Sequence, residues 1–281
     1  MADRVTAHEI FHNARRAAQD ELNRSSSGLG FSGFSAGLNI SFSFVAAVLL
    51  ADAATDPESA HLWSAVGYPL GFILIVLARA QLFTENTLTP VLLVLDHPSR
   101  RNILNTLRLW TVVLVANLAG AFVFSLAMST LDISPGMNPE TITRTAMEAY
   151  QGTWANLWIR GIFGGWLIAL MTWVLHTGGG MIGQIVLVWL IAFIIQAAGF
   201  SHSVAGATEI LYLAHVGEIS YLDWLWHFQV PVTLGNAFGG IFFVALVNYA
   251  QVVGSGGDLE RADRVKRIRE QKESVDREEE Q

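Results

Sequence analysis

The 281-residue chain has no cysteine, only seven prolines, and little charge through its middle. The missing cysteine excludes disulfides and thiolate metal sites. Of the 41 Asp, Glu, Lys and Arg residues, 24 lie in residues 1–29 and 255–281, leaving 17 for the central 225. A water-soluble domain needs charge along its whole surface, and this chain does not have it. The formal charge of −7 therefore says little about partners, since most of the surface would face lipid. No apolar leader core occurs in the first 25 residues, so no cleavable signal is expected. Signatures of catalysis are missing too: there is no nucleophile–histidine–acid set, no metal-ligand cluster and no phosphate-binding loop. "HTGGGMIGQ" (176–184) is glycine-rich but reads as a tight turn. An enzyme, a bound cofactor or metal, and a nucleic-acid partner are all unexpected.

What is present is long apolar runs, because 52% of the residues are apolar. Six spans are expected, roughly 30–54, 63–95, 104–131, 154–176, 181–215 and 228–253. About 20 apolar residues carry a helix across a bilayer, so the second and fifth runs are too long for one unbroken span. Each contains a polar break. Six crossings put both termini on one side, with the turns around 96–103 and 176–180. That side holds 14 of the 17 basic residues; Arg144 and Arg160 fall opposite, and Arg79 lies within a span. The positive-inside rule makes the common side cytoplasmic. Trp63, Trp154, Trp158, Trp224 and Trp226 fall at the other ends of the spans, as an aromatic belt requires.

Three regions follow: an N-terminal segment 1–29, a membrane domain 30–253 and a charged cytoplasmic tail 254–281. "HEIFHNARRAAQDEL" (8–22) gathers Ile10, Ala14, Ala17, Ala18 and Leu22 on one helical face, with Arg15, Arg16 and Asp20 opposite. Such a helix lies on the membrane, closes the cytoplasmic mouth, or packs on neighbouring protein. The tail from Asp258 is too charged to build a core.

The membrane domain repeats itself. "NLAGAFVFSLA" (117–127) matches "NAFGGIFFVAL" (236–246), and "GFSAG" (33–37) shares glycine spacing with "GIFGG" (161–165). The break "LFTENT" (82–87) then corresponds to "GFSHSV" (199–204). Three spans per copy is an odd number, so the second copy is inverted in the membrane. Inverted repeats with interrupted helices point to a transport pathway at mid-membrane.

The spaced set "AQLFTENT…GFSHSVAG…GNAFGG" resembles the formate/nitrite transporter family, and the likeness covers about residues 30–253. It lies nearer a YfdC-like branch than the formate channels, and it lacks the paired Asn-Pro-Ala of true aquaporins. The resemblance implies an aquaporin-like all-α fold, a homopentamer with one pore per protomer, and small monovalent anions or their conjugate weak acids as substrates. It also implies a bacterial inner-membrane location, His202 as the central pore histidine, and Thr84 as its hydrogen-bonding neighbour. Leu82, Phe83 and Ile195 become candidates for an inner collar; Tyr68 and Phe72 for an outer one.

In lipid, non-helical backbone survives only where it lines a cavity or is buried in protein, so the two breaks should meet. His202, flanked by Ser201 and Ser203, is the one histidine at mid-depth and would pass a proton to an anion, leaving a neutral acid to cross the collar. A histidine locked in a hydrogen-bond network that only holds the break is the alternative. Arg79 lies five residues before Thr84 and Glu209 seven after His202; counted along continuous helices, both fall in the outer half and can pair or line the pore. Glu85 adjoins Thr84 and is placed to contact His202. Three functions stay open: an anion channel, a channel for small neutral solutes, and a non-conducting scaffold blocked by an Arg79–Glu209 pair.

Overall fold

In a computed structural model, residues 5–130 and 136–254 are described, and their regular secondary structure is entirely helical. The charged tail expected from Asp258 onward lies outside the described residues. The first helix, α1 (Ala7–Asn23), begins at a capping box in which Thr6 Oγ1 accepts from the Glu9 amide and Glu9 accepts from the Thr6 amide.

Among the described residues, five helices are long and apolar enough to cross a membrane: Ser26–Asp52, Ser59–Ala78, Arg100–Thr130, Trp154–Leu175 and Tyr221–Gly254. The first of these joins α2 (Ser26–Ile40) to α3 (Phe42–Asp52), and the second joins α4 (Pro57–Gly67) to α5 (Pro69–Ala78). A shorter α6 (Thr89–Asp96) follows the first break, and α7 is Arg100–Thr130. An amphipathic α8 (Pro139–Tyr150), not anticipated from the apolar pattern, precedes α9 (Trp154–Leu175). The fifth run divides into α10 (Met181–Ala197) and α11 (Ala205–His215), and α12 is Tyr221–Gly254 with π-helical turns at Trp224–Gln229 and Gly239–Leu246. At 1.5 Å per residue, the Ser59–Ala78 helix is about 30 Å long, a full hydrocarbon thickness. The first break therefore lies past the end of a complete span, and the chain must turn back from it.

Both breaks open in the same way. Arg79 (φ 52°) and Gly199 (φ 67°) are left-handed, and each is followed by an amide that reaches back five residues: Ala80 to Ile75, Phe200 to Ile195. These are Schellman-type helix ends. The segments beyond them are held by two asparagines. Asn117 of α7 accepts from the Phe83 amide and donates to the carbonyls of Gly33 and Gln81. Asn236 of α12 accepts from the Ser203 amide and donates to the carbonyls of Gly161 and Ser201. The repeat register thus pairs Phe83 with Ser203 and Leu82 with His202, three residues away from the alignment of "LFTENT" with "GFSHSV". Glycines let the helices approach this closely: a Cβ on Gly37 or Gly165 would run into the carbonyl of Asn117 or Asn236.

The amphipathic face of α1 docks on the helical body. Ile10, Phe11 and Ala14 pack with Leu88, Leu92, Trp173 and Val244, while Ala18 and Leu22 pack with Phe83, Leu93 and Leu109. Polar ties reinforce it. Arg15 pairs with Asp96, Asn13 donates to the His176 carbonyl at 3.0 Å, and Arg108 donates to the Leu22 carbonyl at 2.7 Å.

Candidate functional site

The two breaks meet at His202. Its Nε2 lies 2.7 Å from Thr84 Oγ1, and the side chain is 1% exposed. On the other side of the ring, Nδ1 accepts from the amides of Ala205 (3.1 Å) and Val204 (3.3 Å), at the start of α11. A proton on Nδ1 would face two amide protons, so this network assigns the ring proton to Nε2, which donates to Thr84. The Thr84 hydroxyl proton has no acceptor among the described residues. Phe72 stands edge-to-face against the imidazole, ring centroids 5.0 Å apart, and Tyr68 packs on Phe72 at 5.4 Å.

Apolar side chains fill this level. Tyr68, Phe72, Ile75, Leu82, Val188, Ala192 and Ile195 are buried in one cluster. Phe83, expected in the collar, instead points into a different cluster beside Trp110 and Leu109, because its amide is tied to Asn117 on α7, the helix that carries both.

A cavity opens on each side of the cluster. The one beside α1 has a volume of about 560 Å³ and is lined by Glu21, Arg24, Arg79, Gln81, Glu85 and Gln184, among others. The far cavity, about 230 Å³, is lined by His61, Tyr68, Glu148, Arg160, Gln196, Ser201, His202 and Glu209. Phe72, Leu82 and Ile195 line neither. Gln184 and Gln196 sit on the same helix, α10, so the two mouths are separated by about 18 Å at 1.5 Å per residue.

Two expectations are overturned here. Arg79 and Glu209 do not pair; they open on opposite cavities. Counting outward along a continuous helix placed Arg79 on the wrong side, because α5 runs on to Ala78 and Arg79 caps its far end. Glu85 does not reach His202 either. It faces the α1-side cavity, with its Oε1 buried and without a hydrogen-bond partner.

The cation near Glu209 is Arg160. Its Nε donates to the Gly199 carbonyl and its Nη1 to the Gln151 carbonyl at 2.9 Å. The sequence left Arg160 and Glu148 unplaced. An arginine six residues into an apolar helix was a usable signal, but α8, which carries Glu148 to the cavity, was not foreseen. Ser201 and Ser203 are buried, and neither hydroxyl has a hydrogen-bond partner. In the α1-side cavity, burial raises the Glu21 carboxyl above the usual carboxylate range, and hydrogen bonds from Thr89 and Gln81 only partly offset this.

Apolar spans, two interrupted helices and a buried histidine where the interruptions touch define a polytopic membrane protein of the channel-like class. The chain belongs to the formate/nitrite transporter family, whose model matches residues 8–250. It is 33% identical over 246 residues to the Escherichia coli inner membrane protein YfdC, covering 88% of this chain and 79% of that one. A probable formate transporter of Methanothermobacter thermautotrophicus is 30% identical over 195 residues, 63% of this chain and 70% of its own. Among solved structures, an FNT family ion channel superposes with a TM-score of 0.75 at 22% identity, covering 87% of this chain and 98% of that one. A pentameric formate channel with formate bound superposes with a TM-score of 0.66 at 20% identity, over 81% and 98% of the two chains.

Proposed function

We propose that the protein is a homopentameric channel of the bacterial inner membrane for small monovalent anions of the formate and nitrite type, or their conjugate weak acids. Both termini and the α1-side cavity face the cytoplasm in this reading, which the distribution of arginine and lysine supports. The observation that carries it is the His202–Thr84 contact, 2.7 Å long, set between two polar cavities and within an apolar cluster.

A charged group at mid-membrane costs about 3 kcal/mol on the mildest scales, so an anion at Phe72, Leu82 and Ile195 gains by shedding its charge. This favours the neutral acid as the species that crosses that level. The Nε2–H of His202, relayed through the Thr84 hydroxyl, supplies the hydrogen bond that compensates its oxygen. For His202 to donate a proton outright, the ring must first become imidazolium, and Nδ1 must give up both amide donors. The proton-relay role is therefore restricted to a rearranged site, whereas the hydrogen-bond role needs no rearrangement. The scaffold alternative rested on an Arg79–Glu209 plug, and those residues do not meet.

Formate and nitrite flux into liposomes containing the purified protein, compared between wild type and the His202→Phe and His202→Asn variants, tests the reading. Loss of flux in His202→Phe with pH-dependent flux kept in His202→Asn is expected, because asparagine donates a hydrogen bond but relays no proton. Unchanged flux in His202→Phe rejects a central role for the residue.

A further inference from the structure

A neutral permeant leaves the proton unaccounted for, and the geometry of His202 does not readily supply it. The far cavity contains another candidate. Glu209 is 3% exposed, lines that cavity, and makes neither a hydrogen bond nor an ion pair among the described residues. A buried carboxyl without a partner is carried most cheaply as the neutral acid. Every titratable or charged group facing it lies on a different element: Arg160 on α9, Glu148 on α8, His61 on α4, Tyr68 at the α4–α5 junction and His202 on the second break. Arg160 is anchored by carbonyls of Gly199 and Gln151, which fix its plane beside the cavity rather than on the carboxyl.

The α1-side cavity repeats the arrangement. Glu85 has a buried oxygen without a hydrogen-bond partner and shares its cavity with Arg79, Arg24, Asp20, Glu21 and His176. A guanidinium and an unpartnered carboxyl therefore flank the apolar cluster on both sides.

We infer that Glu209 and Glu85 load and unload the proton that accompanies the permeant across the apolar cluster. This rests on the channel function proposed above. An anion drawn to Arg160 takes the proton of the Glu209 carboxyl: one O–H bond breaks on Glu209, one forms on the substrate, and the new carboxylate lies beside Arg160. The neutral acid passes Phe72, Leu82 and Ile195, hydrogen-bonded by Thr84 and His202. Beyond them Glu85, beside Arg79 and Arg24, releases its resting proton to water in the open α1-side cavity and takes the proton of the acid in its place, so that the substrate leaves as the anion. Water in the far cavity returns a proton to Glu209, so the net event is co-transport of one anion with one proton, in either direction.

The experiment is proton-coupled formate uptake, read by a pH-sensitive dye trapped in liposomes carrying the full-length protein. Wild type should show uptake with a marked pH profile. Glu209→Gln should lower the rate at neutral pH on the order of a hundredfold, the scale of a lost general acid, and flatten the profile. Glu209→Asp, which restores the acid, should recover rate and profile in part; this separates the proton role from mere packing and holds even if the glutamine variant folds poorly. A wild type that carries neither formate nor nitrite overturns the channel reading itself. A conducting wild type with Glu209→Gln unchanged in rate and pH profile overturns only the proton role.

Discussion

Arg79 occupies, at φ 52°, the position that Gly199 occupies at φ 67° in the other half of the molecule. It is the one non-glycine residue with positive φ among those described. A left-handed L-residue costs roughly 1–2 kcal/mol, and such strain persists where the side chain is useful. Arg79→Gly should therefore melt at a higher temperature in detergent than Arg79→Ala, by the equivalent of about 1 kcal/mol. Both variants lose the guanidinium of the α1-side cavity, so their anion flux should fall alike. Equal melting of the two would refute the strain.

Asn117 and Asn236 each satisfy three backbone groups: an amide and a carbonyl of a buried, non-helical break, and one carbonyl of a neighbouring helix, Gly33 on α2 or Gly161 on α9. Truncating either to alanine leaves an amide and a carbonyl of the break unpaired, each costing about 1–3 kcal/mol. Similar, severe losses of thermal stability are expected for Asn117→Ala and Asn236→Ala. Their functional effects should differ. Asn236 holds both neighbours of His202, whereas Asn117 holds both neighbours of Leu82. At permissive temperature, Asn236→Ala should lose more anion flux than Asn117→Ala.

The asparagines also show what the sequence could reveal. Asn117, Asn236, Gly37 and Gly165 are legible as a repeat because their side chains, or lack of them, perform the same task twice. The breaks between them are not. What repeats there is a pair of backbone hydrogen bonds, and Leu82 and His202 share no chemistry that would align them, so the register slipped by three residues. Arg79 was misplaced for a related reason: rise per residue assumes that the helix continues, and nothing in "VLARAQ" marks the reversal except an arginine where glycine is the usual choice. His202 is legible as the one histidine at mid-depth, whereas Thr84 as its partner follows only from the family resemblance. Arg160 and Glu148 converge with Glu209 only in three dimensions, from α9, α8 and α11.

Close helix contact at Gly37 and Gly165 gives a sharper contrast. A methyl group at either would collide with backbone that cannot move without breaking the asparagine bonds. Gly37→Ala and Gly165→Ala should abolish accumulation of folded protein, measured by gel filtration in mild detergent. Gly183, on the first turn of α10, has nothing within 4 Å of an added Cβ. Gly183→Ala should be neutral or stabilise by up to about 1 kcal/mol, the helix-propensity difference.

The docking of α1 should weaken as pH rises. Burial raises the Glu21 carboxyl in the folded protein above its usual range. An acid with a raised folded-state value binds more protons folded than unfolded, so stability is greatest below the ordinary carboxylate value near 4.5 and declines as pH climbs through the raised one. Ionising Glu21 sets a charge in the half-buried position from which it accepts a hydrogen bond from Thr89 at 2.9 Å. Hydrogen–deuterium exchange of the α1 amides, corrected for the intrinsic pH dependence of exchange, should then show protection falling from mildly acidic to neutral pH in wild type. In Glu21→Gln, which keeps an acceptor for Thr89 but cannot ionise, this fall should be reduced and protection at neutral pH increased. Because Arg15–Asp96 and the Ile10, Phe11 and Leu22 contacts are untouched by the substitution, α1 should remain docked throughout. A wild-type fall that persists undiminished in Glu21→Gln would assign the pH response to another group, and not to His12, whose neutral form burial favours and which therefore adds stability as pH rises.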